Sequence, residues 1–205
     1  MVREIRLYVE GGDRKESKKD LRKGLRAFLK EVDDLAKQRG VGFQVIFCGS
    51  DEFTFKDFKT GMTNSPASFN VLLVDSDGPV TQSPWNHLKT QEKRKNWDSA
   101  GIDDVHCHLM VQEMEAWFMA DVDALKSFYG QGFNEKSLPQ NQNVEQIDKS
   151  RIVAGLESAT KNTSKGKYHK TIHAPAILGK LKLSKVRKAA LHCERLFQTL
   201  TEKMN

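Results

Sequence analysis

Acidic residues stand in this sequence where buried strands should end, and they are its clearest candidates for chemistry. Asp75-Ser76-Asp77 follows directly on the apolar run Phe69 to Val74, and Glu10 closes the alternating stretch that begins at Arg3. Glu113-Met114-Glu115 follows a further apolar stretch, Val105 to Val111. An extended chain points Asp75 and Asp77 to the same side. If the strands are parallel, their ends share one edge of the sheet, so carboxylates distant in sequence converge there. Crowded carboxylates repel one another unless a cation neutralises them. A hard, oxygen-seeking ion is the expected cofactor, Mg²⁺ or Mn²⁺. Such ions activate water and stabilise the charge that develops in phosphoryl transfer. The competing reading of Asp75-Ser76-Asp77 is an Asp-rich turn that only caps its strand.

The elements that must position these residues read as an α/β chain. Ile5, Leu7 and Val9 alternate with Arg6 and Tyr8, a strand pattern, with Gly11-Gly12 as its turn. Leu21, Leu25, Phe28, Leu29, Val32, Leu35 and Ala36 form one amphipathic helix ended by Arg39-Gly40. Gly42 to Cys48 is a second strand, and Ser50 or Asp51 caps a short helix carrying Phe53, Phe55 and Phe58. Thr60 to Ser68 reads as a loop leading into the central strand, whose uniformly apolar Val71 to Val74 requires cover on both faces. Alternating strands and helices predict a mostly parallel, Rossmann-like sheet flanked by helices. Trp85 and Trp97 bracket a Lys- and Arg-rich segment expected to overhang the acidic edge. Packing over the core is the favoured role for these tryptophans, with base stacking the alternative. His106 and His108 share a strand face, but no third ligand stands at metal spacing.

Charge divides along the chain. The net charge is +6, yet Lys149 to Asn205 holds 13 Lys and Arg against Glu157, Glu194 and Glu202. The basic third predicts a polyanionic partner, most simply nucleic acid, DNA or RNA. Within it, Lys165, Lys167, His169 and Lys170 lie on a polar loop that reads as a phosphate-contacting segment, or else as a solvent-exposed linker. Helices are expected at Ile152 to Ala159, Ala174 to Leu181 and Ser184 to Leu200, the last capped by Ser184 with Val186, Ala190, Cys193, Phe197 and Leu200 inward. The chain divides into an α/β core over 1–130 and a basic, mainly helical extension over 131–205, packed together. No apolar run approaches the roughly 20 residues that span a bilayer, so a cytoplasmic protein with reduced cysteines is expected.

Val9-Glu10-Gly11-Gly12 and Val74-Asp75-Ser76-Asp77-Gly78 resemble the glutamate and D-x-D motifs of TOPRIM domains, which occur in topoisomerases, primases and OLD-type nucleases. More narrowly, Leu72-Leu73-Val74-Asp75-Ser76, His108-Leu109-Met110-Val111-Gln112, Met114-Glu115-Ala116-Trp117-Phe118 and Tyr168-His169-Lys170 look like a bacterial TOPRIM-like family of unknown function. The resemblance implies a TOPRIM-like fold, with Glu10 as general acid/base or metal contact and Asp75 and Asp77 as metal ligands. It also implies a further acidic residue, Glu115 or Glu113, completing a two-metal site. An ABC-type ATPase encoded beside the gene, and a joint role in defence against phage, belong to the same implication.

These observations favour a Mg²⁺- or Mn²⁺-dependent nuclease with Glu10, Asp75, Asp77 and Glu115 as catalytic residues. Two alternatives stay open: a non-catalytic module that binds nucleic acid or the ATPase, and a hydrolase of small phosphate esters.

Overall fold

The computed structural model describes residues 2–11 and 15–205. Its sheet consists of β1 (Glu4–Glu10), β2 (Gly42–Gly49), β3 (Phe69–Asp75) and β4 (Cys107–Met110), in the order β2-β1-β3-β4. All neighbours pair in parallel, with Leu7 opposite both Val45 and Val71, and Asp75 opposite Met110. The chain runs from β1 outward to β2, then returns to the other side of β1 for β3. That reversal between β1 and β3 is a topological switch point, where open α/β sheets form their crevices.

Alternation along the interior strands divides the core. Ile5, Leu7, Val9, Val71 and Leu73 point into the larger cluster with Leu25, Phe28, Val32, Trp117 and Phe197. Tyr8, Leu72 and Val74 point the other way, onto Phe58, Trp85, Leu88 and Trp97. The second face is covered by α3 (Asp51–Asn64) and α4 (Pro84–Lys89). The first is covered by α1 (Lys15–Phe28), α2 (Lys30–Arg39) and the last helix, α10 (Leu191–Met204). Both tryptophans are buried, and Trp97 stacks on Phe55 at 4.5 Å between ring centres.

Between β4 and α10 come α5 (Ala116–Met119), α6 (Val122–Tyr129), α7 (Lys149–Thr160), α8 (Lys170–Leu178) and α9 (Leu183–Ala189). Asp148 caps α7 by accepting from the Ser150 N–H at 2.8 Å. Helix α8 packs against α1 so closely that a Cβ on Gly24 would lie 2.1 Å from the Pro175 carbonyl oxygen.

Several expected elements differ in extent. The single helix expected over Leu21 to Ala36 is interrupted at Leu29, where ψ rises to 11°, giving α1 and α2. Helix α3 continues to Asn64 through the segment expected as loop; the Thr60 and Thr63 hydroxyls bond the carbonyls one turn earlier, and Gly61 faces inward onto Tyr8. Ser184 to Leu200 is two helices: Ala190 is extended (φ −131°, ψ 101°), and Lys182 rather than Ser184 occupies the N-cap of α9. The expected inward residues of this stretch are nonetheless all buried. Helix α8 starts at Lys170, earlier than the expected Ala174. Of the turn expected after β1, Gly12 lies outside the described residues, whereas the Gly11 N–H donates to the Gly49 carbonyl at 2.8 Å. No helix among the described residues is long and apolar enough to cross a membrane.

Candidate active site at the acidic sheet edge

Glu10 and Asp75 terminate the adjacent strands β1 and β3, on either side of the switch point. Beyond Asp75 the backbone stays laced to the chain leaving β4. The Ser76 N–H donates to the Met110 carbonyl at 3.0 Å, and the Asp77 N–H to the Gln112 carbonyl at 2.8 Å. The Met114 N–H returns a bond to Asp75 Oδ1 at 2.9 Å. This lacing brings Asp75, Asp77, Glu113 and Glu115 to one edge. The extended-chain reading of Asp75 and Asp77 fails in one respect: Asp77 has φ +57°, so strand alternation stops at Asp75 and the two side chains meet different partners.

The edge therefore has two halves. In the first, Arg94, with no exposed side-chain surface, donates from Nε and Nη2 to the two Asp51 carboxylate oxygens at 2.7 Å each. Its Nη1 donates to the Asp75 carbonyl at 2.8 Å and to Gln91 Oε1 at 2.6 Å. Arg94 Nη2 also lies 3.3 Å from Asp77 and 3.9 Å from Glu10. Lys93 adds contacts to Asp77 at 2.7 Å and Asp51 at 3.1 Å, and Lys149 reaches Asp77 at 3.2 Å. The 3₁₀ turn Glu92–Arg94 that delivers Lys93 and Arg94 belongs to the basic segment expected to overhang the edge.

In the second half, Lys170 at the head of α8 faces three carboxylates: Glu115 at 3.0 Å, and Asp75 and Glu113 at 3.7 Å each. Tyr168 donates its hydroxyl to Glu115 Oε1 at 2.7 Å. Glu115 is 1 % exposed, whereas the Lys170 side chain is 54 % exposed. Sequence reasoning placed Lys170 among phosphate contacts, but it is turned onto the acidic residues. Of its expected companions, Lys167 is exposed, Lys165 lies over the Phe128 ring at 5.3 Å, and the His169 N–H donates to His173 Nδ1 at 3.1 Å.

Burial, followed by the Asp75 and Asp51 carboxylates, pushes Glu10 up to about 7 against the pull of Arg94 and Lys93. Burial and then Glu115 push Glu113 up to about 7 as well. Asp75 rises to about 6 through burial, with Lys170 opposing and Glu115 adding to the rise. Burial would raise Asp77 too, but Lys93, Arg94 and Lys149 outweigh it and hold that carboxyl below its ordinary value. Burial works against the charge on Lys170, and Asp75, Glu115 and Glu113 more than reverse it, so its ammonium is held well above the usual range.

Glu10, Asp51, Asp75, Asp77, Glu113 and Glu115 face Lys93, Arg94, Lys149 and Lys170, a formal excess of two negative charges. Glu10 Oε2 and Glu113 Oε1 are buried without a hydrogen bond, whereas Asp77 Oδ2 and Glu115 Oε2 meet Lys93 at 2.7 Å and Lys170 at 3.0 Å. Carboxylate oxygens and an excess of negative charge are the donor chemistry a hard divalent cation takes. Its arrangement is closed around lysine and arginine: among the described residues, no three His, Cys, Asp or Glu side chains stand together as a ligand set. His108 lies away from this edge, bonded to the Val105 carbonyl at 3.2 Å, and burial with the adjacent Arg195 pushes it down to about 3.

Arg94, Lys93, Asp51, Lys149 and Tyr168 were not singled out by sequence reasoning as site residues. The one signal for the first two was the basic stretch Lys89 to Lys95 following an acidic strand end. No curated protein and no solved structure matches the chain. A family model described as a domain of unknown function, DUF4276, matches residues 9–201, nearly the whole length, and the chain belongs to that family.

Proposed function

We propose that this chain is a Mg²⁺- or Mn²⁺-dependent nuclease, related to TOPRIM and OLD-type enzymes, that hydrolyses nucleic-acid phosphodiesters. The observation that supports the reading is the convergence of Glu10, Asp75, Asp77, Glu113 and Glu115 at the switch-point edge, with the buried oxygens Glu10 Oε2 and Glu113 Oε1 left without hydrogen bonds. Asp75, Glu113 and Glu115, with Glu10 and Asp77 beside them, would hold the ion. When bound, the ion supplies water activation and stabilises negative charge on phosphoryl oxygens.

The chain's own residues supply the rest. Glu10, raised to about 7, can accept a proton from the attacking water near neutral pH. Arg94 fixes the Asp75 carbonyl and Asp51, which ties the end of β3 to the start of α3. Lys165 and Lys167, on the loop leading to Lys170, offer the phosphate backbone a cationic track. An ABC-type ATPase partner and a role in phage defence extend this proposal on the strength of the motif resemblance alone.

Incubation with DNA, RNA and tRNA in Mg²⁺ or Mn²⁺ tests the reading. Cleavage is expected, and it should be abolished when Asp75 and Asp77 are both replaced by Ala. Cleavage that persists in this double variant removes the assignment.

A second reading follows from Arg94 and Lys170, which already neutralise much of the edge: a non-catalytic module that binds nucleic acid through its basic third. Salt-sensitive binding with no metal requirement and no turnover would favour it.

A further inference from the structure

The sheet has two outer strands, and only one of them is closed. At β4 every residue is buried, and Arg195 Nη1 caps the backbone by donating to the Cys107 carbonyl at 2.8 Å. At β2 no further strand pairs among the described residues, and Gly42 to Ile46 are all at least partly exposed. The Gly42 N–H donates toward β1, to the Arg3 carbonyl at 2.9 Å. In a parallel strand one residue turns its N–H and C=O to one neighbour, and the next turns both to the other side. Phe43, Val45 and Phe47 therefore present theirs to the open side. Open strands are ordinarily blunted by charge or proline. Gly42 to Gly49 contains neither.

The side chains of these three residues lie on the face covered by α1 and α2. Phe43 and Val45 there line a groove with Arg26, Leu29, Asp33 and Lys37. Charge differs between its ends. Arg22 lies over the Phe47 ring at 5.6 Å, with Arg26 one turn further along α1. Asp33 and Lys37 belong to α2, which leads through Gly40 into the Phe43 end of β2.

We propose that β2 pairs antiparallel with β2 of a second copy of this chain, about a two-fold axis through Val45, so that the two sheets become one. Self-complementarity selects this partner. With Val45 opposite Val45, Phe43 stands opposite Phe47, and all three outward N–H and C=O pairs are satisfied. An uncharged strand sets no like charges against each other across the axis. The same rotation brings the Arg26 end of each groove toward the Asp33 end of the other. The pairing does not depend on a metal at the acidic edge. It turns the two acidic edges to opposite ends of the joined sheet, so that each copy keeps its own crevice.

Sedimentation velocity of the full-length chain, from about 1 to 100 µM, should reveal a species of twice 23.3 kDa. Val45→Pro removes one outward N–H from each copy and spares the bonds to β1, which Gln44 and Ile46 make; it should weaken the dimer by at least about tenfold. Arg26→Glu should weaken it several-fold, and adding Asp33→Arg should restore it. A chain that stays at 23.3 kDa throughout overturns the proposal, and so does a dimer that a folded Val45→Pro variant leaves unchanged. If Val45→Pro does not fold, the charge exchange decides: loss with Arg26→Glu and recovery in the double variant support the pairing, and any other pattern overturns it.

Discussion

Arg94 and Lys170 answer the same electrostatic problem from opposite sides of Asp75. Arg94 is enclosed, and its planar fork is fully directed, to both oxygens of Asp51, to the Asp75 carbonyl and to Gln91. Lys170 is half in solvent, and its ammonium is shared among carboxylates at ion-pair distances. Guanidinium suits fixed, multidentate duty, and ammonium suits exchange. One half of the edge is thus built into the fold. The other is held by a cation that stands half in solvent.

The sharpest way to break this contrast is to remove each cation in turn. Arg94→Met strands buried carboxylates beside a wholly enclosed site and should cost about 3–5 kcal/mol in urea unfolding. Lys170→Met should cost only about 1 kcal/mol, because water screens the exposed ammonium and neighbouring carboxyls can take up protons instead. Equal losses would erase the distinction between the halves.

Tyr168→Phe probes how firmly the solvent-facing half is anchored. It deletes a hydroxyl that donates to nearly enclosed Glu115, a loss of about 1.5–3 kcal/mol. A cost below about 0.5 kcal/mol would mean that the loop is not fastened through this bond.

The two halves also differ in the dependence of stability on pH. Glu10 and Glu113 are raised from 4.5 to about 7, and Asp75 from 3.8 to about 6. In the folded chain these groups keep protons that the unfolded chain has already released. Their contribution is complete below about pH 4 and is lost as pH rises through 6 to 7. Unfolding free energy measured without metal should therefore fall between pH 5 and 8, and Glu113→Gln should flatten the fall. A rise over that window in the unaltered chain would contradict the raised carboxyls.

Much of this edge was legible in the sequence because it depends on strands. An apolar run followed by an acid fixes both burial and the end of the element, and parallel order then collects Glu10, Asp75 and Glu115 on one side. The opposing cations were not legible. Arg94 comes from a single 3₁₀ turn, Lys149 from the first residue of α7 and Lys170 from the first residue of α8, positions set by tertiary packing that no periodicity marks. The same limit hid the breaks at Leu29 and Ala190. Apolar spacing continues across both, and the flanking inward residues stay buried, apart from the partly buried Leu21 and Leu35, although the helix does not continue.

The close seating of α8 on α1 makes a residue remote from the acidic edge a determinant of it. With the Pro175 carbonyl 2.1 Å from where a Cβ would stand, even the methyl of Gly24→Ala would force the two helices apart. Helix α8 carries Lys170 at its head, five residues before Pro175, so a displacement of the helix would carry the ammonium with it. Gly24 thus sets the reach of a charge that it never touches.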